Sequence, residues 1–207
     1  MGSRKRNYKK YEVELFYANK IVRAFAPTAI FLTIGDADWR QPDVLYGFGE
    51  QLIGIEITGA YYCDQHAKTI WTASRPTARA QAIIYKFSIT EPDKLIRESV
   101  EKRIVEKSKK KYQKVNQVWL GIHQEAELSD KTSTDLALKQ IRLPKLHPFT
   151  RIFLVHRLPW HDGSGYRVVQ FFPTWETYWF KPPSQLVEAI FALQPGPSGK
   201  TDFQTER

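Results

Sequence analysis

Along residues 8–25 the apolar positions Tyr8, Tyr11, Leu15, Ala18, Val22 and Phe25 recur at steps of three and four. That period puts them on one face and predicts an amphipathic helix, stopped by Pro27. Residues 29–34 (AIFLTI) form a short apolar run suited to a buried strand, broken by Gly35-Asp36-Ala37-Asp38. Two further runs follow, Val44-Leu45-Tyr46-Gly47-Phe48 and 52–58 (LIGIEIT), with Gly49-Glu50-Gln51 between them. A turn between β-branched and aromatic runs predicts a hairpin. In the second run Ile53, Ile55 and Ile57 share one side, and Leu52, Gly54, Glu56 and Thr58 share the other. The isoleucine side is core. Glu56 therefore stands mid-strand on the opposite face, with Gly54 leaving room beside it.

Farther along, 66–74 lack a clear period, and 76–87 suit a helix or a strand pair equally. Residues 93–113 predict the best helix of the chain, preceded by Pro92 and free of Gly and Pro. Ile96, Val100 and Ile104 mark its buried face, and the same stripe continues to Lys107 and Lys111. A strand at 118–122 (VWLGI) follows, then a polar stretch at 124–140 with a short helix. Strands at 149–157 and 166–172 flank the turn cluster Asp162-Gly163-Ser164-Gly165. A short apolar helix at 184–193 precedes a Pro/Gly/Ser-rich tail, expected to be disordered from about residue 195. The order of helix, three strands, helix, strand and added hairpin predicts an α/β or α+β sandwich around a mixed sheet. One domain over 8–194 is expected, behind a basic arm at 1–7 that holds Arg4, Lys5 and Arg6.

Charge narrows the partners. The 207 residues carry 31 Lys+Arg against 22 Asp+Glu, a formal net charge of +9. Such a field favours polyanions, nucleic acid before others. No apolar run approaches the ~18 residues that cross a bilayer, and the basic start has no apolar stretch behind it, so a cytoplasmic protein is expected. Cys63 is the single cysteine, which leaves neither a disulfide framework nor a cysteine-based zinc site. The five histidines, His66, His123, His147, His156 and His161, show no ligand spacing, and no Gly-rich phosphate loop occurs.

The candidate chemistry lies in two carboxylates. Asp43, after Pro42, opens the second strand, and Glu56 stands on the next. Paired as a hairpin, these strands bring both carboxylates together. Close carboxylates repel and raise each other's pKa, and a divalent cation between them relieves this. Their oxygens, with the Ile57 carbonyl, suit Mg²⁺ or Mn²⁺. Phosphodiester chemistry also wants a cation at the nucleophile or the scissile phosphate, and Lys107 on the inward stripe supplies one.

Pro42-Asp43, then Glu56-Ile57-Thr58, then a Lys-rich helix and an apolar strand resemble the PD-(D/E)XK nuclease superfamily. The resemblance spans residues 8–123 and implies a restriction-endonuclease-like three-layer sandwich, a mixed central sheet with helices on both faces, plus the C-terminal hairpin. It implies Asp43 and Glu56 as ligands of Mg²⁺ or Mn²⁺. Thr58 stands where the family's lysine is usual, and Lys107 from the following helix is the expected substitute. An acidic residue of the first helix often assists, and Glu12 and Glu14 both qualify. The implied activity is metal-dependent hydrolysis of nucleic acid, DNA first, by a chain that works alone or as a homodimer. The alternative is an inactive member of the same fold that binds nucleic acid or a protein; a third possibility is a basic partner-binding protein with no nucleic-acid role.

Contacts to nucleic acid are expected from Arg75, Arg79 and Lys86 with Trp71 among them, and from Lys111 within the basic run 107–114. His123 is expected to be structural. Trp160, Trp175 and Trp179 are expected to pack a layer over the sheet.

Overall fold

The computed structural model describes residues 8–61, 91–124, 131–160 and 163–180. The first helix, α1 (Tyr8–Phe25), matches the expected span. Strands β1 (Ile30–Ile34), β2 (Val44–Phe48) and β3 (Gln51–Gly59) follow, then α2 (Pro92–Ser108), β4 (Gln117–Gln124) and α3 (Lys131–Lys139). Strands β5 (Arg151–Trp160), β6 (Gly163–Phe172) and β7 (Glu176–Phe180) complete the described elements. All seven strands form one mixed sheet in the order β1 to β7. The β2–β3 hairpin is antiparallel, and Gly49 turns it at φ +57°, a conformation glycine adopts without a Cβ penalty. Strands β3, β4 and β5 run parallel, so α2 and α3 are the crossovers that return the chain.

Strand alternation divides the core in two. On one face Ile53, Ile55, Ile57, Trp119, Phe153 and Val155 meet Tyr17, Ala18, Ile21 and Val22 of α1. On the other, Val118, Leu120, Ile122, Ile152 and Leu154 meet Ile96, Val100 and Ile104 of α2 and Ala137 and Leu138 of α3. The sheet is thus covered on both faces, as its continuous apolar strands require. Glu56 is consequently buried, with about 1% exposure, on the face that α2 covers.

Three expectations change. Strand β1 is an edge strand, not a buried one: Ile30 is 69% exposed, and β1 adds no residue to either core, because both cores centre on β3 to β6. Helix α2 ends at Ser108, so Lys111 is an exposed residue beyond it and not part of the inward stripe. Past Ser108 the Lys110 amide bonds to the Lys107 carbonyl at a spacing of three, which brings Lys110 to Glu56 and leaves Lys111 off the stripe. The C-terminal hairpin forms as expected from β5 and β6, and β5 pairs in parallel with β4, so the hairpin continues the central sheet. Trp179 lies within β7, paired with Arg167 of β6, and Trp175 precedes that strand at 41% exposure, so they belong to the sheet edge and the loop before it and not to a separate layer. Expectations for Cys63, His66, Trp71, Arg75, Arg79, Lys86, His161, the basic arm and the C-terminal helix and tail fall outside the described residues. No described helix is long and apolar enough to cross a membrane.

Candidate active site

The site begins where β2 stops. Strand β2 starts at Val44, paired with Ile55, so beyond Ile55 strand β3 keeps β4 on one side and, among the described residues, has no strand neighbour on the other. Asp43 fills that notch. Its Oδ2 accepts a hydrogen bond from the Ile57 amide at 2.8 Å, and its own carbonyl accepts from Gly35 N at 2.9 Å. Pro42 packs so close to Gly54 that a Cβ there would stand 2.4 Å from the Pro42 ring. Gly54 is thus required by the approach of the Pro42-Asp43 segment to the strand.

Glu56 is the centre of charge. Its Oε1 accepts from Lys107 Nζ at 2.5 Å and from Lys110 Nζ at 2.6 Å. Lys107 reaches it from the last turn of α2, at the position the apolar stripe predicts. Lys110 comes from the chain just past the helix, where its amide bonds back to the Lys107 carbonyl at 3.1 Å. Helical spacing could not have found Lys110, because it acts after the helix has ended; the only signal is the density of lysine at 107–111.

The first helix contributes one of its two candidates. Glu14 is 13% exposed in its side chain and pairs with Lys10 at 3.2 Å, whereas Glu12 is exposed. Burial raises the Glu14 pKa, with Lys10 pulling it back and Glu56 pushing it up further. Asp43 is pushed up to about 7, chiefly by burial, then by the charges of Glu56 and Glu14, against the Ile57 amide and Lys107. Lys110 and Lys10 are held above the ordinary lysine value despite burial, through Glu56 and Glu14 respectively. The Tyr112 hydroxyl is raised as well, by burial and then by Glu56 and Asp43. Three carboxylates and three ammoniums therefore share one region.

Two cavities border the cluster. One of about 640 Å³ is lined by Asp43, Lys110, Lys111 and Tyr112 together with Arg40 and Lys109. A smaller one of about 220 Å³ touches Glu14, Ile57, Thr58, Lys107, Tyr61 and His123. Thr58 and Lys107 thus line the same space. His123 stacks on Tyr17 at 4.2 Å and 8°, and burial pushes its imidazole down to about 3, so it is neutral near pH 7.

The donors can be weighed for a metal ion. Among the described residues no three His, Cys, Asp or Glu side chains gather closely enough to hold one. Mg²⁺ does not need three, since it keeps several waters and binds through one or two carboxylates plus substrate phosphate. Asp43 and Glu56 are hard oxygen donors of that kind, and the structure brings them together with the Ile57 backbone. Arg75 and Arg79, named as nucleic-acid contacts, lie outside the described residues. No family model matches the chain, and no curated protein or solved structure does either.

Proposed function

We propose that the chain is a metal-dependent nuclease of PD-(D/E)XK type with a restriction-endonuclease-like fold, hydrolysing phosphodiester bonds in nucleic acid, with DNA as the first substrate to test. The observation that carries this is the lysine. Lys107 lines the same cavity as Thr58 and bonds Glu56, so an ammonium from α2 occupies the space that a lysine at 58 would otherwise serve. Asp43 and Glu56 would hold Mg²⁺ or Mn²⁺, with the Ile57 carbonyl as a further donor. When bound, the ion neutralises charge on the phosphate and lowers the pKa of water. Lys107 would orient the water or a phosphate oxygen, and Lys110 would stabilise the negative charge that develops in attack. Glu14 would accept a hydrogen bond from water in the smaller cavity.

Purified protein with Mg²⁺ or Mn²⁺ should cleave plasmid or oligonucleotide DNA, and Asp43→Asn and Glu56→Gln should each remove that cleavage. Cleavage that survives in both variants overturns the assignment. A second reading, an inactive nuclease fold that binds nucleic acid or a protein, draws on the two ammoniums already on Glu56, which neutralise it without a metal. Metal-independent binding with no cut polymer would favour it.

A further inference from the structure

The larger cavity is asymmetric. One wall is the β1–β2 connection, through Gly35, Ala37, Arg40 and Gln41; the other is the segment after α2, through Lys109, Lys110 and Lys111. The walls are tied together by a hydrogen bond from Gln113 N to the Arg40 carbonyl at 3.1 Å. The first wall is also braced internally. Trp39 N and Gln41 N both donate to the Asp36 carbonyl at 3.1 Å, Asp38 N donates to Asp36 Oδ1 at 2.9 Å, and Asp36 N donates to Gln41 Oε1 at 3.0 Å. This braced turn presents Trp39 with 56% of its surface exposed, beside Arg40. From the opposite wall Lys114 sets its ammonium 3.6 Å from the indole centroid. Arg40 and Lys114 both have positive φ, +52° and +57°, so each wall is bent sharply at its tip.

A large aromatic ring on a rigid turn, with the Lys114 ammonium over one face and 56% of its surface exposed, next to a cationic cleft, is a stacking platform combined with an electrostatic groove. Base stacking needs a nucleotide whose face is free, which a paired duplex does not offer away from its ends. The volume, about 640 Å³, also suits a ligand the size of one or two nucleotides and not the width of a duplex. Asp43 lines the same cleft, so a strand lying in it passes that carboxylate.

We infer that this cleft binds a single-stranded segment of nucleic acid, with Trp39 stacking an unpaired base while Arg40, Lys109 and Lys111 neutralise the backbone. The inference deepens the nuclease reading and rests on it only for what happens at Asp43. The substrate class is a single strand, or the unpaired part of a branched or frayed molecule.

The test is fluorescence anisotropy of a labelled oligo-dT strand and of a blunt duplex of equal length, in EDTA so that no cleavage intervenes. The strand is expected to bind about tenfold tighter than the duplex. Trp39→Ala should weaken strand binding about tenfold and leave duplex binding unchanged, while Trp39→Phe, which keeps a ring, restores most of the loss. Lys109→Ala with Lys111→Ala should flatten the dependence of log affinity on log salt by about 1.4, two phosphate contacts at about 0.7 each. Equal strand binding by wild type and Trp39→Ala, or a duplex bound as tightly as the strand, overturns the inference. The outcomes separate the two claims. Mg²⁺-dependent cleavage of duplex with no Trp39 effect keeps the nuclease and removes the platform. Trp39-dependent strand binding with no polymer cut keeps the platform and removes the nuclease.

Discussion

Glu56 and Arg167 are both charged and both about 1% exposed, and each meets opposite charge from a helix packed on the same face of the sheet. Arg167 donates from Nη2 to Asp135 of α3 at 2.5 Å and lies over the Trp179 ring at 5.2 Å. It stands mid-sheet, paired with His156 on one side and Trp179 on the other, and neither cavity described above reaches it. Among the described residues Glu56 has a strand partner only in β4. The side that β2 leaves open admits a second carboxylate, two lysines and two cavities. The same burial of charge thus closes into a structural pair in one place and opens into a reactive cluster in the other. The difference is whether neighbouring strands fill both sides.

Substitutions can sharpen or break this contrast. The largest effect is expected at Glu56: Glu56→Gln should lower metal-dependent cleavage about a thousandfold, the several kcal/mol of charge stabilisation a bound cation supplies. Its thermal midpoint should move less than that of the matching change in the other pair. There, Asp135→Ala leaves the Arg167 guanidinium buried without its carboxylate and should cost about 3 kcal/mol. Calorimetry should read this as a fall of about 6–12 °C, with cleavage at low temperature intact. If Asp135→Ala removed cleavage while Glu56→Gln only destabilised the fold, the assignments would be reversed.

Lys107→Ala comes next, with cleavage reduced about a hundredfold, the scale of a positioned proton-handling or orienting group. Lys110→Ala should cost less, because its side chain is 50% exposed against 19% for Lys107. The pH dependence of stability tests the cluster without metal. Below about pH 4 the Asp43 carboxyl is protonated in folded and unfolded chains alike. Between there and about 7 the folded chain holds a proton that the unfolded chain has released, so stability falls as pH rises, and the loss is complete above about 7. Asp43→Asn should abolish that slope and stabilise the metal-free protein at pH 8 by on the order of 2 kcal/mol. Denaturant melts of both proteins across this range give the answer, and a slope that persists in the variant assigns it to other groups. The smallest effect is expected at Gly54→Ala, where the new methyl displaces Pro42 and with it Asp43. Stability should fall by about 1 kcal/mol and cleavage by about tenfold, although residue 54 touches no substrate.

Much of this arrangement is written in local pattern. The period of α1, the β2–β3 hairpin and the isoleucine face of β3 follow from spacing alone, because helices and strands bury residues at fixed periods. The same pattern placed Asp43 beside Glu56 and turned Lys107 inward, since each depends on register or phase within one hairpin or one helix. Helical phase could not choose between Glu12 and Glu14, both at the border of the apolar stripe; the burial of Glu14 against the exposure of Glu12 separates them. Lys110 and Trp39 were hidden for a related reason. Each sits on a loop whose position is decided by what the loop is tied to: Lys107 and Glu56 for the first, the Asp36 turn and the Gln113 amide for the second.

The chain by itself determined that two carboxylates meet at the start of a hairpin and that a lysine faces them. Tertiary structure alone decided that β1 is an exposed edge, that β5 to β7 continue the sheet, and that a missing strand neighbour opens the notch around Asp43. Local sequence sets which face a residue occupies, but exposure at an edge or at a strand end depends on which other strands arrive there. That is settled by pairings between residues far apart in the chain, and periodicity carries no record of them.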